Sequence, residues 1–447
     1  MTTASSPLAI AVIGSGIAGL AASWLLQKRH GVTLYERAAK LGGHCNTVDV
    51  PDADGNPVAV DTGFIVYNSI NYPNLVALFH ELGVATHASD MSFAVSLDGG
   101  RLEYSGTNLR GLFAQPSNLA RPRFWAMLRD IVRFYRTAPA HLQTGDSGET
   151  TLGDYLDARN YSRAFIDEHI LPMGAAIWSS TLADMRRYPL ENFVRFFESH
   201  GLLRLTRRPE WRTVTGGSRV YVAKIAALLE GRIELSCPVR SVRRERGGVT
   251  VEDAAGRARR FDHVVIAAHA DDALAMLADA DEEEQRLLGR FRYARNIAVL
   301  HSDPSFMPVR RRAWASWNYL GRTGAQDGAP TVTYWMNNLQ KLSCTRDFFV
   351  TLNPERTPRA VHATFEYDHP GFDPEAGAAQ RELWSLQGRR RTWFCGAHFG
   401  AGFHEDGLQA GLAIAEELGG MKRPWHVAND SGRIWRTPRA LLREAAE

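Results

Sequence analysis

Cysteine is scarce in this sequence: Cys45, Cys237, Cys344 and Cys395 are the only four in 447 residues, with no CxxC pair and no cysteine–histidine array at metal-ligand spacing. A disulfide scaffold and a cysteine-built metal centre are thereby excluded, and a reduced, cytoplasmic setting is expected. Net charge is also small, +3 at pH 7, too little over this length for bulk attraction to nucleic acid. Internal repeats, low-complexity tracts, sustained heptads and metal signatures are absent. One uncharged run, Leu8 to Gln27, approaches the roughly 20 residues of a membrane span. Its three glycines and the strand pattern directly after it mark it instead as strand, turn and helix, so neither a signal peptide nor a transmembrane helix is expected.

What is present is a chain that can bury a large core: 45% of residues are hydrophobic and 23% charged. Its length corresponds to roughly three domain-sized units.

Leu8 to Ile13 reads as a strand buried on both faces, and it runs into Gly14-Ser15-Gly16-Ile17-Ala18-Gly19. A helix is expected from Ile17 to Lys28, then a strand from Val32 to Tyr35 ending at Glu36. In this order the glycines have separate duties: Gly14 for the tight turn, Gly16 for close approach to a pyrophosphate, Gly19 for packing of helix on sheet. Helix N–H groups then face the phosphates. Glu36, 22 residues after Gly14, is placed to accept bonds from ribose hydroxyls and to repel a 2′-phosphate. The ligand at this stage is NAD or FAD. Two further glycine turns, Lys40-Leu41-Gly42-Gly43-His44 and Asp61-Thr62-Gly63-Phe64, the second following a hairpin turned at Asp54-Gly55, favour the longer FAD.

GSGIAGL, YERAAKLGGH and DTGF together resemble the N-terminal part of the flavin amine oxidase and phytoene desaturase superfamily. The resemblance implies an α/β protein: a Rossmann-like FAD-binding domain (residues 8–95, 210–292 and 388–424), a discontinuous α+β substrate-binding cap (96–209 and 293–387) and a C-terminal tail (425–447). It implies FAD contacts at the first turn, from Gly14 to Gly19, and at Glu36 and Arg37. Lys40, Gly42, Gly43 and His44 follow, although Lys40 and His44 stand where many members carry arginine, and then Thr62, Gly63 and Phe64. Farther along, Val239 corresponds to a strand start that holds adenine through its backbone, and Ala268 ends a buried-strand pattern, Phe261 to Ala268. Gly396 ends the strand Trp393 to Gly396; superfamily members have an acid just after it, where this chain has Ala397-His398. Phe403 would border the flavin ring, the backbone near His404 and Glu405 would face its pyrimidine edge, and Leu408 lies on the same helix. No catalytic base is identifiable.

Longer phrases, LPMGAAIWSS (171–180), TVTGGSRVYV (213–222), EYDHPGFD (366–373) and FCGAHFGAGFHEDGLQAGLAIAEELG (394–419), are similar to a bacterial group of FAD/NAD-binding, amine-oxidase-like proteins. Such proteins are often encoded beside methyltransferases similar to cyclopropane fatty acid synthases. The resemblance implies a FAD-dependent oxidoreductase that removes a hydride from an apolar, fatty-acyl or lipid substrate. A methyltransferase partner is implied with it, and nucleic acid is not. A lipid double-bond isomerase, an amine oxidase and a non-catalytic flavoprotein serving the methyltransferase stand as alternatives. Within Arg121 to Arg136 the apolar positions Phe124, Leu128, Ile131, Val132 and Tyr135 form a helical stripe flanked by Arg129, Arg133 and Arg136. The stripe suits either an ordinary cap helix or one resting on the inner face of the cell membrane.

Overall fold

The computed structural model describes residues 6–106, 108–142, 150–204, 206, 208–229, 231–324 and 331–436. Part of the glycine-rich loop after Tyr319 and the last eleven residues lie outside that range. The first unit is built on a five-stranded parallel sheet whose strands come from distant parts of the chain. Their order is Arg232–Glu234, Gly31–Tyr35, Ala9–Ile13, His263–Ile266 and Thr392–Phe394. Ile13 is in register with both Tyr35 and Ile266, and Ile266 with Phe394. Gly14, Glu36, Ala267 and Cys395 therefore emerge side by side at one edge, where doubly wound sheets bind their ligands.

Two fully or largely buried helices, Ile17–Leu26 and His404–Gly419, pack on each other beside this sheet. Their contact is close because Gly411 lies against the Ala18 carbonyl, where a Cβ would come within 2.1 Å. The expected run Phe261 to Ala268 is two strands, Ala258–Phe261 in a three-stranded antiparallel sheet and His263–Ile266 in the parallel one. Asp262 separates them: its backbone N–H donates to the Ala9 carbonyl at 2.8 Å and its carboxylate accepts from the Ala9 N–H at 2.7 Å.

The cap is a seven-stranded sheet covered by helices, with its own hydrophobic core. Its order is Val361–Gly371, Arg292–His301, Phe349–Leu352, Thr331–Trp335, Trp317–Gly321, Phe93–Leu97 and Leu102–Ser105. Phe93–Leu97 pairs with Trp317–Gly321, so the chain joins the cap sheet at residue 93, three residues before the position expected. The helix expected within Arg121 to Arg136 spans Pro122–His141, and its face of Phe124, Met127, Ile131, Phe134 and Ala138 is buried in the cap core. Of the expected stripe only Phe124 and Ile131 are on this buried face; Leu128 and Tyr135 are partly buried against the core and Val132 is half-buried at its side. Among the described residues no helix is long and apolar enough to cross a membrane.

Residues 425–436, set apart above as a tail, are packed onto the first unit. Trp425 stacks on Trp24 with ring centroids 5.5 Å apart, Ile434 is buried, and Arg433 pairs with the buried Asp406 at 2.6 Å.

Candidate functional site

The glycine turn after the first strand sorts its glycines by what surrounds them. Gly14 has φ +98°, and a Cβ there would meet the Ala267 carbonyl oxygen at 2.5 Å; at Gly19 it would meet the Gly14 carbonyl oxygen at 1.9 Å. Both are required by the fold. Gly16, the N-cap of the helix, has an ordinary φ of −61°, and a Cβ there would have nothing within 4 Å. The space it leaves open lies in front of the helix N–H groups, as a pyrophosphate requires. Gly43 approaches from the second turn, where a Cβ would come within 3.1 Å of the Gly16 Cα, and the Gly42 N–H donates to both the carbonyl and the hydroxyl of Ser15, at 3.2 and 3.1 Å.

Glu36 is buried and bound to this corner. One carboxylate oxygen accepts from the Ser15 N–H at 2.9 Å and the Ser15 hydroxyl at 2.5 Å, the other from the Ala38 N–H at 2.8 Å. A carboxylate offers about four lone-pair sites, so one direction is left for a ribose hydroxyl. Ser15 serves by positioning the acid. The strand carrying Val239 is tied to the same place, because the Cys237 N–H donates to the Glu36 carbonyl and the Ser236 N–H to that of Ala38, both at 2.9 Å. Arg37 is exposed and pairs loosely with Asp272, and the exposed Lys40 bonds the Asn46 side chain.

The DTGF turn is locked by Asp61. Its carboxylate accepts from the Thr47 hydroxyl at 2.6 Å, the Ser218 N–H and hydroxyl at 3.0 and 2.8 Å, and the Gln340 amide at 2.8 Å. Gly63 is needed for close approach, since a Cβ there would lie 2.2 Å from the His44 carbonyl oxygen, and the Phe64 N–H donates to that oxygen at 2.8 Å. His44 and Phe64 are thus brought opposite each other. The Thr62 hydroxyl lies 2.8 Å from that of Tyr367.

Beyond the turns, rings from distant segments converge. His44 lies 5.0 Å from Tyr367, 5.7 Å from His369 and 6.4 Å from His269, centroid to centroid, and His269 stacks on Tyr293 at 4.3 Å. Phe64 stacks on His404 at 3.8 Å, and His404 Nε2 is 2.6 Å from the Tyr221 hydroxyl, which also bonds Cys45. Burial and neighbouring imidazoles push His44 and His404 down to about 3 and His369 to about 4; all are neutral at pH 7. They are enclosed by protein yet keep accessible surface, as do Gly14, Gly16, Phe64, Ala268 and Phe403. Together they mark a trough from the glycine corner toward the cap, on the side of the sheet where doubly wound folds bind their ligands. Tyr221, His269, Tyr293, Tyr367 and His369 were not singled out from the sequence. The one local signal was the spacing of Tyr367 and His369, which places both on one face of a strand.

At the cap end Phe403 stacks on Phe196 at 4.6 Å and lies 6.4 Å from Trp178. The helix Leu171–Trp178 contributes most of its apolar side chains to the cap core and only its last residue, Trp178, to this wall. Glu405 does not face the trough. It accepts from the Asn74 and Leu75 N–H groups, both at 3.0 Å, at the start of the helix Pro73–Glu81. Asp406 accepts from the Phe403 N–H at 2.7 Å and pairs with Arg433. Leu408 is fully buried. Gly396 is extended, and the His398 ring lies where its Cβ would be, 2.7 Å away. His398 is buried, is pushed down to about 3 by burial, and leaves its Nε2 without a partner among the described residues.

These features define a two-domain nucleotide-binding protein of the doubly wound kind, with a neutral, ring-lined space between glycine corner and cap. The chain belongs to the flavin containing amine oxidoreductase family, whose model matches residues 17–341. It is 28% identical over 330 residues to a carotenoid phi-ring synthase of Streptomyces griseus, an alignment covering 68% of this chain and 59% of that protein's length. Its fold is that of a CLA-producing fatty acid isomerase from P. acnes (TM-score 0.64, 16% identity, 94% of this chain and 99% of the other). It is also shared with a putative protoporphyrinogen oxidase from Exiguobacterium sp. 255-15 (0.66, 15%, 93% and 99%). A putrescine oxidase bound to putrescine agrees similarly (0.65, 16%, 92% and 99%).

Proposed function

We propose that the protein takes a hydride from an apolar, fatty-acyl or lipid substrate held between the glycine corner and the cap. The observation that carries this reading is the aromatic wall of Phe403, Phe196 and Trp178. It meets neutral imidazoles, while the nearby carboxylates of Asp61, Glu405 and Asp406 are each engaged by donors of the protein. Asp271, Asp272 and Asp368 are felt at His269 and His369, so the imidazole end has carboxylates near it; it is the apolar wall that suits an acyl chain, which needs none. The names of the fatty acid isomerase and the carotenoid ring synthase point the same way.

In this reading the N–H groups at the start of Ile17–Leu26 hold the pyrophosphate, Glu36 a ribose hydroxyl, and His44, Phe64 and His404 the ring end. FAD, when bound, supplies the hydride acceptor. The first turn of His404–Gly419 favours negative charge in front of it by at most about 2 kcal/mol, roughly a 30-fold effect. The larger share falls to Phe403, Phe196 and Trp178, which hold the chain in place and keep water out. His44, His369 and His404, held neutral and weakly basic by burial, do not retain the proton lost with the hydride, which passes to solvent.

Anaerobic mixing with fatty acids, phospholipids and a panel of amines, following the visible flavin band, tests the proposal. Bleaching by acyl substrates is expected. Bleaching by amines alone overturns it, and so does an unbleached flavin accompanied by a shifted double bond in the recovered lipid, which would mark isomerisation.

A further inference from the structure

We propose that the protein docks on an anionic lipid bilayer through the end of the cap formed by residues 108–125 and 308–314. Exposed large apolar side chains gather there: Leu109 and Val309 are each 73% exposed, Leu119 54% and Trp125 49%. The short helix Leu109–Leu112 packs against the turn Arg311–Ala313, two residues beyond Val309. Phe113, bonded back to Leu109, lies 5.9 Å from Trp125, and the Trp125 indole N–H donates to the Leu119 carbonyl at 2.9 Å. The four side chains thus rise from one continuous surface. With its N–H satisfied within the protein, the indole of Trp125 can enter a bilayer interface without leaving a donor unpaired.

Charge selects the occupant. Residues 106–129 and 304–318 contain seven arginines and no aspartate or glutamate. Arg110 and Arg312 are exposed and have no ion-pair partner among the described residues. Of the acids that reach this end from other segments, Glu103, Glu168 and Asp347 are engaged, and Asp167 lies among Arg123, Arg163 and Arg186. Glu103 is buried and accepts from the Val309 and Arg310 N–H groups and the Arg310 guanidinium; Glu168 pairs with Arg123 at 2.6 Å, and Asp347 with Arg311 at 3.6 Å. Projecting Leu, Val and Trp within a field of arginine is the pattern of an interfacial anchor, and its sign selects anionic headgroups. The surface is separate from the buried face of Pro122–His141. The inference does not rest on the substrate proposed above, because docking is measured without turnover.

The test is co-sedimentation of the FAD-loaded protein with vesicles of phosphatidylcholine alone or mixed with phosphatidylglycerol. Binding to the mixed vesicles, weakened by salt, is expected. Each arginine lost from the surface should weaken partitioning about fivefold, so Arg110→Gln with Arg312→Gln should lower it about 25-fold. Leu109→Ser with Val309→Ser should lower it further while flavin content and melting temperature stay unchanged. Acyl-brominated lipid should quench the wild type more than Trp125→Phe. Absence of binding at low salt overturns the proposal, as does binding that none of these variants alters. So does sedimentation velocity showing that the wild type self-associates and the Leu109/Val309 variant does not, which would assign the surface to a second copy of the chain.

Discussion

Gly16 and Gly19 are three residues apart in one motif, yet they should respond oppositely to a single added methyl group. At Gly16 the new Cβ would meet nothing within 4 Å, and the backbone, at φ −61° and ψ 176°, is ordinary for alanine. Alanine is a poorer N-cap than glycine by a few tenths of a kcal/mol or more, while the narrower unfolded ensemble returns about 0.4–1 kcal/mol. The apoprotein of Gly16→Ala should therefore melt within about 2 °C of the wild type. The methyl group occupies the space proposed for the pyrophosphate, and losing one charge-assisted bond there, about 1.5–3 kcal/mol, weakens FAD binding roughly 10- to 150-fold. In Gly19→Ala the Cβ would lie 1.9 Å from the Gly14 carbonyl oxygen, a backbone clash that costs about 1–3 kcal/mol or more whether or not cofactor is present. Scanning fluorimetry of both apoproteins and titration with FAD, read by quenching of flavin fluorescence, separate the two effects. A Gly16→Ala protein that binds FAD like the wild type, or whose apoprotein is as unstable as Gly19→Ala, would refute the assignment of Gly16 to the cofactor.

Arg433→Ala removes the partner of Asp406, whose side chain is fully buried; breaking a buried pair costs about 3–5 kcal/mol. Its melting temperature should fall on the order of 10 °C, and a fall of under 2 °C would show that residues 425–436 are dispensable packing. Acidification should also destabilise the apoprotein. His44, His398 and His404, held at about 3, and His369, at about 4, bind protons more weakly folded than unfolded. The stability this represents is complete above about pH 6.5 and is lost as the pH falls toward those values, at about 1.4 kcal/mol per pH unit for each ring. Asp61, raised to about 6 by burial, acts in the opposite sense between its folded and unfolded values and offsets about one ring. Urea midpoints measured from pH 7 to 4.5 should decline; a level or rising series would mean that the rings are not neutral and enclosed.

The first turn was readable because its determinants are local: strand, glycines, helix and acid fall within thirty residues, and hydrophobic periodicity together with glycine spacing specify them. Spacing put Glu36 at the end of the second strand, beside the first turn, but gave no sign of its partners, the Ser15 N–H and hydroxyl. The helix Pro122–His141 was equally clear as a helix. What periodicity could not tell was whether its apolar face met protein or lipid, because the residues covering it come from elements such as the helix Leu190–Ser199, more than fifty residues away. Of the four apolar side chains at the cap end, Leu109, Leu119 and Val309 escaped notice because they lie on short elements or a loop with no period to detect, and Trp125 because it lies off the apolar stripe of its helix.

The least legible part of the site was the ring-lined wall, and its composition bears on two departures from the family pattern. One is histidine in place of arginine at position 44; the other is the missing acid after Gly396, where Ala397-His398 stands. His269 lies 6.4 Å from His44 and is close enough to His398 to weaken its hold on a proton, so both departures flank the same imidazole. A guanidinium at 44 without an acid near 398, or the acid without the guanidinium, would leave a single charge among neutral rings at a cost of several kcal/mol. With both positions held by imidazoles that burial keeps neutral, the wall needs no counter-ion. Each substitution thus replaces a charged side chain of the family pattern with an imidazole that burial holds neutral.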